Sequence, residues 1–457
     1  MIGRTMYRDC LAAACLVVIC ASKLVFCAEP VDVGNRLELF TDDHLISDIK
    51  GDVRQQLLRP EPKEVVLVTD EPWEGNTSGY YTCFQDGDLY RLIYRGWQHD
   101  AQKKAAHKEV TCYAESKDGI HWTKPNLGLF EWNGSKKNNI VWLTPGTHNF
   151  TAFRDDNPAA PAEARYKAFG GGGGGLLPFQ SHDCVHWKQI QGKPVITHGA
   201  FDSQNLAFWD ADRGEYRAYW RYFGNGVRAI RTATSKDFIT WKKETDLTYS
   251  KGTPHEHLYT NAIQKYFRAP HLFIGFPTRY EPNSQQVEPI LMTSRDGHTF
   301  RRYAEAVIPR TAPKDRNHNR SNYMVWGMFQ LPGKPNEISV YGTENYYEST
   351  PGRVRRFVYR VDGFVALRGG EEGGEMLTQP LRYEGRRLLL NYVVQSGGTL
   401  KIEVLDNSGQ VIGRAKSLSG EGVDVPVTWE KDPRLNQGIV RLRFAINNAD
   451  VYSLRFD

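Results

Sequence analysis

Five short polar segments hold the residues best suited to chemistry. They are Trp73-Glu74-Gly75-Asn76-Thr77, Thr147-His148-Asn149, Phe201-Asp202-Ser203-Gln204-Asn205, His255-Glu256-His257-Leu258-Tyr259-Thr260-Asn261 and Asn319-Arg320-Ser321-Asn322-Tyr323. Each stands just before a β-forming run. If those runs surround one axis, the segments converge on a mouth rich in carboxylate, amide, imidazole and guanidinium, which suits a hydroxyl-rich ligand. Glu256 is the first candidate for a general acid. Asp202 is the candidate base or orienting carboxylate, Glu74 is the other contender, and Glu344 is a fourth carboxylate that could reach the same mouth. His148 joins the binding set, and Asn76, Asn149, Gln204, Asn205, Asn261 and Asn322 would read hydroxyls. Arg279 and Arg320 offer planar bidentate donors for a sulfate or carboxylate. Singly, an Asp or Asn before a strand makes a turn, and an arginine makes a surface ion pair. Their recurrence at one phase of the chain favours a site.

The phase is set by a repeated turn. Glu115-Ser116-Lys117-Asp118-Gly119-Ile120-His121-Trp122 returns as Ser181-His182-Asp183-Cys184-Val185-His186-Trp187 and as Ser235-Lys236-Asp237-Phe238-Ile239-Thr240-Trp241. Ser294-Arg295-Asp296-Gly297-His298-Thr299-Phe300 is a fourth copy, and Arg360-Val361-Asp362-Gly363-Phe364 a degenerate fifth. The aspartates step by 65, 54, 59 and 66 residues. An Asp followed by a turn-tolerant residue reverses the chain, and the aromatic four positions on starts the next strand. Each unit reads as a four-stranded meander. The expected fold is all-β: a five-bladed β-propeller over 29–366, then a small β-sandwich over 367–457. Gly369-Gly370-Glu371-Glu372-Gly373-Gly374 reads as the hinge between them, and Arg36 to Ile46 as a segment crossing or closing the ring. Asp42 and Asp43 are neighbours in that segment and would point apart on a strand, so they read as turn or cap residues.

Residues 1–28 read as an export signal, with Arg4 and Arg8 before a short apolar run, which implies a secreted or periplasmic protein. Four of the seven cysteines fall in that segment; Cys83, Cys112 and Cys184 read as buried fillers. The 58 basic and 53 acidic residues leave a formal charge of +5, too weak over 457 residues for a nucleic-acid signature. No span long enough to cross a membrane follows the signal. Glycines 170–175 are not a phosphate loop, because no Gly-Lys-Ser/Thr follows; they read as a flexible connection or a close strand approach. No cofactor motif appears, and an axial divalent cation has no ligand spacing behind it. The oligomeric state stays open.

The Ser-Lys-Asp-Gly-Ile-His-Trp turns and Tyr-Arg-rich second strands resemble the five-bladed propeller glycoside hydrolases, families 32, 43, 62, 68 and 117. The likeness is nearest to secreted bacterial proteins similar to the family 32 N-terminal domain. It spans about residues 36 to 366, and the tail resembles the β-sandwich appended in family 32. Phe201-Asp202-Ser203 resembles an Asp-Pro style segment, and His255-Glu256-His257 the segment carrying the acid. The resemblance implies a carbohydrate substrate, anionic or sulfated forms included, with two carboxyl groups flanking a glycosidic bond. A histidine acid, as in family 117, is a variant of this scheme, and the resemblance would give that place to His257. A propeller that binds glycan without turnover is the alternative. A sialidase-like hydrolase comes third, because the Asp-box spaces Ser, Asp, Gly and Trp differently.

Overall fold

The computed structural model describes residues 29–172, 174–309, 322–348 and 351–457. Four meanders run in chain order. The first is Gly79–Asp86, Leu89–Gly96, Val110–Ser116 and Ile140–Trp142; the second is Gly146–Arg154, Tyr166–Gly172, Gly175–Ser181 and Trp187–Gln189. The third is Leu206–Asp210, Glu215–Gly224, Val227–Ser235 and Trp241–Asp246, and the fourth Gln264–Tyr266, Ala269–Gly275, Gln286–Ser294 and Thr299–Ala306. Met324–Phe329, Glu337–Glu344 and Arg353–Arg360 start a fifth, and its outermost strand is Glu61–Val68, from before the first. That strand is what closes the ring.

Side chains and edges tie neighbouring meanders together around the axis. The Ala152 amide donates to Thr82 Oγ1 at 3.2 Å, Thr151 donates to the Asn205 carbonyl, and Asn261 Nδ2 donates to the Gln204 carbonyl at 3.1 Å. Trp326 Nε1 donates to the Ile263 carbonyl at 2.9 Å, and Trp326 pairs with Thr82 across the last junction. The described chain is thus a β-propeller of sheets packed face to face through buried aromatics such as Phe169 stacked on Phe238, with ring centroids 4.9 Å apart.

The repeated turn has one hydrogen-bond design. Ser116 Oγ accepts from the Gly119 amide at 2.9 Å, and Asp118 Oδ1 accepts from Ile120 and His121 at 2.9 and 2.8 Å. Asp183, Asp237 and Asp296 repeat this, each capping the two amides that the reversal would otherwise leave open. The residue after each Asp is left-handed: Gly119, Cys184, Phe238 and Gly297, at φ 72°, 71°, 66° and 73°. Phe238 takes this costly place with its ring fully buried between sheets, where packing can offset the backbone strain. The fifth copy is a different object. Asp362 itself holds the left-handed place, at φ 60°, and its carboxylate accepts from Arg268, Ser453 and Tyr266 at the junction with the tail.

The boundary expected at residue 29 moves. Val31–Gly34 pairs with Leu381–Tyr383, Glu38–Leu39 with Gly438–Phe456, and Ile46–Leu57 with Val365–Thr378, so residues 31–57 belong to the C-terminal sheet. They do not close the propeller. Their alternation buries Val33, Phe40, Leu45 and Val53 in the tail's own core. Asp42 caps the His44 amide and pairs with Arg295 of the fourth meander at 2.8 Å, while Glu38 takes the same guanidinium at 2.7 Å. The glycine stretch 369–374 is likewise no hinge. It lies within the strand Val365–Thr378, as an irregularity between Gly369 and Gly374 flanked by paired residues. The tail is a ten-stranded sheet whose two longest strands, Leu388–Leu405 and Gly438–Phe456, bend over one core.

In the second meander Gly170–Gly172 are ladder residues, and a Cβ on Gly170 would sit 2.8 Å from Gly146 Cα. Close strand approach is the reason for glycine there. Cys83, Cys112 and Cys184 are free and buried, and burial pushes their thiols up. No helix of the described residues is long and apolar enough to cross a membrane.

Candidate functional site

A cavity of about 420 Å³ opens where the inner strands begin, walled by Tyr80, Trp97, Tyr259, Tyr280, Tyr323 and Tyr346. Asp202 stands in it with 57% of its side-chain surface open, enough for a ligand to reach. Tyr80 Oη donates to Asp202 Oδ1 at 2.8 Å and Tyr259 Oη to Oδ2 at 3.0 Å. His148 Nε2 lies 2.9 Å from Oδ1, and its Nδ1 lies 2.6 Å from Glu109 Oε1. An imidazolium with a carboxylate at each nitrogen can donate to both.

Two opposing effects set the charges. Burial pushes the Asp202 carboxyl up, but hydrogen bonds from His148 and Tyr80, with the charges of His148 and Arg221, hold it far below the usual range. Burial pulls His148 down, yet its bonds to Asp202 and Glu109 raise it above the ordinary 6.5. Up to about pH 6.5 the pair is therefore a carboxylate beside an imidazolium. Arg95 braces the pair from beneath: it lies 3.8 Å from Glu109, donates to the Thr77 carbonyl at 2.8 Å, and stacks on Tyr80 and Trp97. Tyr80 is held at φ 53°, in the left-handed region, which turns its ring into the cavity.

The sequence candidates divide sharply. Asp202, His148 and Gln204 line the cavity. Glu256 does not: its carboxylate sits between Arg279 at 3.0 Å and Arg302 at 3.1 Å. The inner strand of the fourth meander starts at Gln264, not near Leu258, and His257–Leu258 is a separate short strand paired with Thr278–Glu281. Glu256 is thus too early in the chain to reach the axis. Arg279 is occupied by Glu256, Glu288 and the Ala304 carbonyl, so it is no free anion reader. Glu74 is buried within the first meander against Lys124 at 2.6 Å and Tyr94, and burial raises its pKa against the pull of Lys124. Glu344 is buried between Arg353 and Arg355, at 2.7 and 2.9 Å. His257 is not on the cavity wall; it lies beside Arg228, whose amide donates to its Nδ1 at 3.2 Å, and burial and that charge lower its pKa.

The amides do structural work. Asn149 donates to the carbonyls of Ser203 and Phe201 and accepts from the Gly171 amide. Asn205 donates to Phe201 and Ser203, Asn261 to Gln204, and Asn76 to His99 and Glu348. Gln204 Nε2 reaches the Tyr81 carbonyl at 2.9 Å. Most of the carbonyls they satisfy, those of His99, Phe201, Ser203, Gln204 and Glu348, lie outside the strand ladders, where side chains supply donors that the ladder does not. Asn322 is buried outside the cavity wall, and Arg320 lies outside the described residues. The tyrosines, Arg95, Glu109, Arg221 and Arg228 escaped the sequence reading because strand tyrosines and arginines look like blade packing. Tyr259 and Tyr323, inside the polar segments, were the available signal.

No family model matches the sequence, and no curated protein matches it. Solved structures do. The endo-arabinase from Bacteroides thetaiotaomicron VPI-5482 shares 10% identity at a TM-score of 0.41, over 65% of this protein and 98% of that one. A glycoside hydrolase family 43 arabinoxylan arabinofuranohydrolase from Bacillus subtilis, in complex with cellotetraose, shares 11% at 0.42, over 87% and 99%. The Bombyx mori GH32 beta-fructofuranosidase BmSUC1 shares 10% at 0.42, over 89% and 95%. None of the three reaches a TM-score of 0.5, and the chemistry rests on the side chains instead.

Proposed function

We propose that the chain is a glycoside hydrolase whose acid–base work falls to His148 and Asp202 instead of two carboxylic acids. The observation that carries this is the contact of 2.9 Å between His148 Nε2 and Asp202 Oδ1 on the wall of an open, tyrosine-lined cavity. Sugar rings present C–H faces that pack on aromatics, and their hydroxyls bond the phenols. A saccharide entering between the two groups opens their contact. His148 then gives its Nε2 proton to the glycosidic oxygen as the C–O bond breaks. Asp202, already a carboxylate, takes a proton from the water that attacks the anomeric carbon. Export through residues 1–28 belongs to the same proposal, with the substrate a polysaccharide or oligosaccharide met outside the cytoplasm.

The test is release of reducing sugar from a broad polysaccharide panel by the wild type and by Asp202→Asn. Release that persists at the wild-type rate in the variant overturns the assignment. A second reading, glycan binding without turnover, is favoured by one observation: Asp202 is the only carboxylate among the described residues lining the cavity. Measurable binding with no product from any substrate would favour it.

A further inference from the structure

The cavity carries more positive charge than its carboxylates need. Arg95, Lys103, His148, Arg221 and Arg228 stand at or against its wall, with Glu109 and Asp202 opposing them. Glu109 is shared by Arg95 and His148, and Asp202 by His148 and, at 3.9 Å, Arg221. Arg228 is different. It lines the cavity, half-buried, and no acidic partner lies within ion-pair distance among the described residues. Its guanidinium lies 4.4 Å over the Tyr280 ring and 5.3 Å from the Tyr259 ring, and its Nε is buried without a hydrogen-bond partner. Arg221 Nη1 is buried and unpartnered too, with its guanidinium 4.6 Å over the Tyr259 ring.

Stacking holds the guanidinium of Arg228 in place; its Nη1 lies 3.3 Å from His257 Nδ1, and its Nε is left unspent. A buried donor without an acceptor is costly, so the arrangement fits an acceptor that arrives with the ligand. Neutral saccharides would supply hydroxyls, which need no cationic wall. An anion supplies the missing charge and the two in-plane oxygens that the fork prefers.

We infer that the saccharide taken by this cavity is acidic, with a carboxylate or sulfate oxygen pair bound by Arg228 and its uncharged ring against the tyrosines. The inference rests on the proposal that the cavity binds saccharide, and it replaces Arg279 by Arg228 as the reader of the charge. Specificity then comes from a group outside the Asp202–His148 pair, joined to it through Tyr259.

The experiment is calorimetric binding to matched oligosaccharides: a uronate-bearing set and its carboxyl-reduced counterpart, and a sulfated set before and after desulfation. The wild type should prefer the acidic member of one pair by on the order of tenfold to a hundredfold, the range for a hydrogen bond to a charged group. The pair that shows the preference names the anion. Arg228→Gln should narrow that ratio to within about twofold, Arg228→Lys should restore part of it, and added salt should erode it. Equal binding of acidic and neutral members by the wild type overturns the inference and leaves the saccharide reading standing. So does a ratio that survives in Arg228→Gln with its melting temperature unchanged. If no member of either pair binds, the saccharide reading falls and the inference with it.

Discussion

In the third meander three residues separate Asp202 from the inner strand Leu206–Asp210; in the fourth, seven separate Glu256 from Gln264–Tyr266. That difference sends two carboxylates from similar polar segments to opposite fates. Asp202 lands in the cavity, its charge shared among two phenols and one imidazolium, with its surface open to a ligand. Glu256 is carried outward by the small pairing of His257–Leu258 and ends between two guanidinia. A carboxylate already matched by two arginines has no proton to give and little reason to meet a substrate. One held by phenols and a histidine can exchange those partners for a ligand's oxygens.

The largest effect should come from breaking the Asp202 side of this comparison. Asp202→Asn keeps the shape and hydrogen bonds while removing the base, so turnover should fall by about 10²- to 10⁴-fold. Glu256→Gln should leave turnover within about threefold. Steady-state rates on one substrate check both, and comparable losses in the two variants would dissolve the distinction.

Glu74 extends the comparison to a fully buried carboxylate. Glu74→Gln removes the partner of Lys124, whose side chain is 15% exposed, while leaving Asp70 within 3.1 Å. Breaking a buried pair costs about 3–5 kcal/mol when the other charge is left alone, and Asp70 should hold this case to about 2–3 kcal/mol. Urea unfolding measures it. A loss under about 0.5 kcal/mol would mean that Glu74 is not the anchor its contacts describe.

The architecture was legible because turn chemistry is local. Ser116, Asp118 and Trp122 and their copies act within one reversal, so their spacing reports the repeat directly. The site was legible only in part, because it depends on where each inner strand begins. His148 and Asp202 stand close to their strands and were placed at the axis; Glu74 and Glu256 stand several residues earlier, and intervening bends carry them away. Asn149, Asn205 and Asn261 were found at the right place with the wrong role. Sequence shows an amide near the axis, whereas the carbonyl it must satisfy becomes visible only in three dimensions.

The electrostatics of the Asp202–His148 pair sharpen the comparison through pH. Asp202 is held below its ordinary 3.8, so it stays ionised through the weakly acid range, and His148 is raised above 6.5, so it stays protonated there. Turnover should hold between those values and fall on the alkaline side only above pH 6.5. The folded His148 binds its proton more tightly than the unfolded one. Its contribution to stability is complete below about pH 6.5 and is lost as pH rises through the folded value. Asp202 contributes in the opposite sense: its share is present above 3.8 and is lost as pH falls through its depressed value. His148→Gln should remove the alkaline loss in a pH series of melting temperatures and leave the acid one smaller but present. An alkaline limb centred below 6.5 in wild-type turnover would contradict the placement of His148 between two carboxylates.

The smallest effect should be on stability when Glu256 is neutralised. Glu256 is 23% exposed, and its two arginines differ in what remains to them. Arg279 keeps Glu288 at 2.6 Å and the Ala304 carbonyl at 2.9 Å. Arg302, whose side chain is 3% exposed, keeps the Pro254 carbonyl and the Tyr249 ring at 4.9 Å. A glutamine retains one acceptor for either of them, so what is lost is charge and one hydrogen bond. The expected cost is about 1 kcal/mol, between a surface pair and a sealed one. It should shrink in high salt, because the carboxylate is partly open to water. Urea midpoints of Glu256→Gln at low and high salt check this against Glu74→Gln, whose buried pair salt should hardly touch. If the two variants respond to salt alike, the division between an outer ion pair and an inner one fails, and Asp202 would lose the contrast that singles it out.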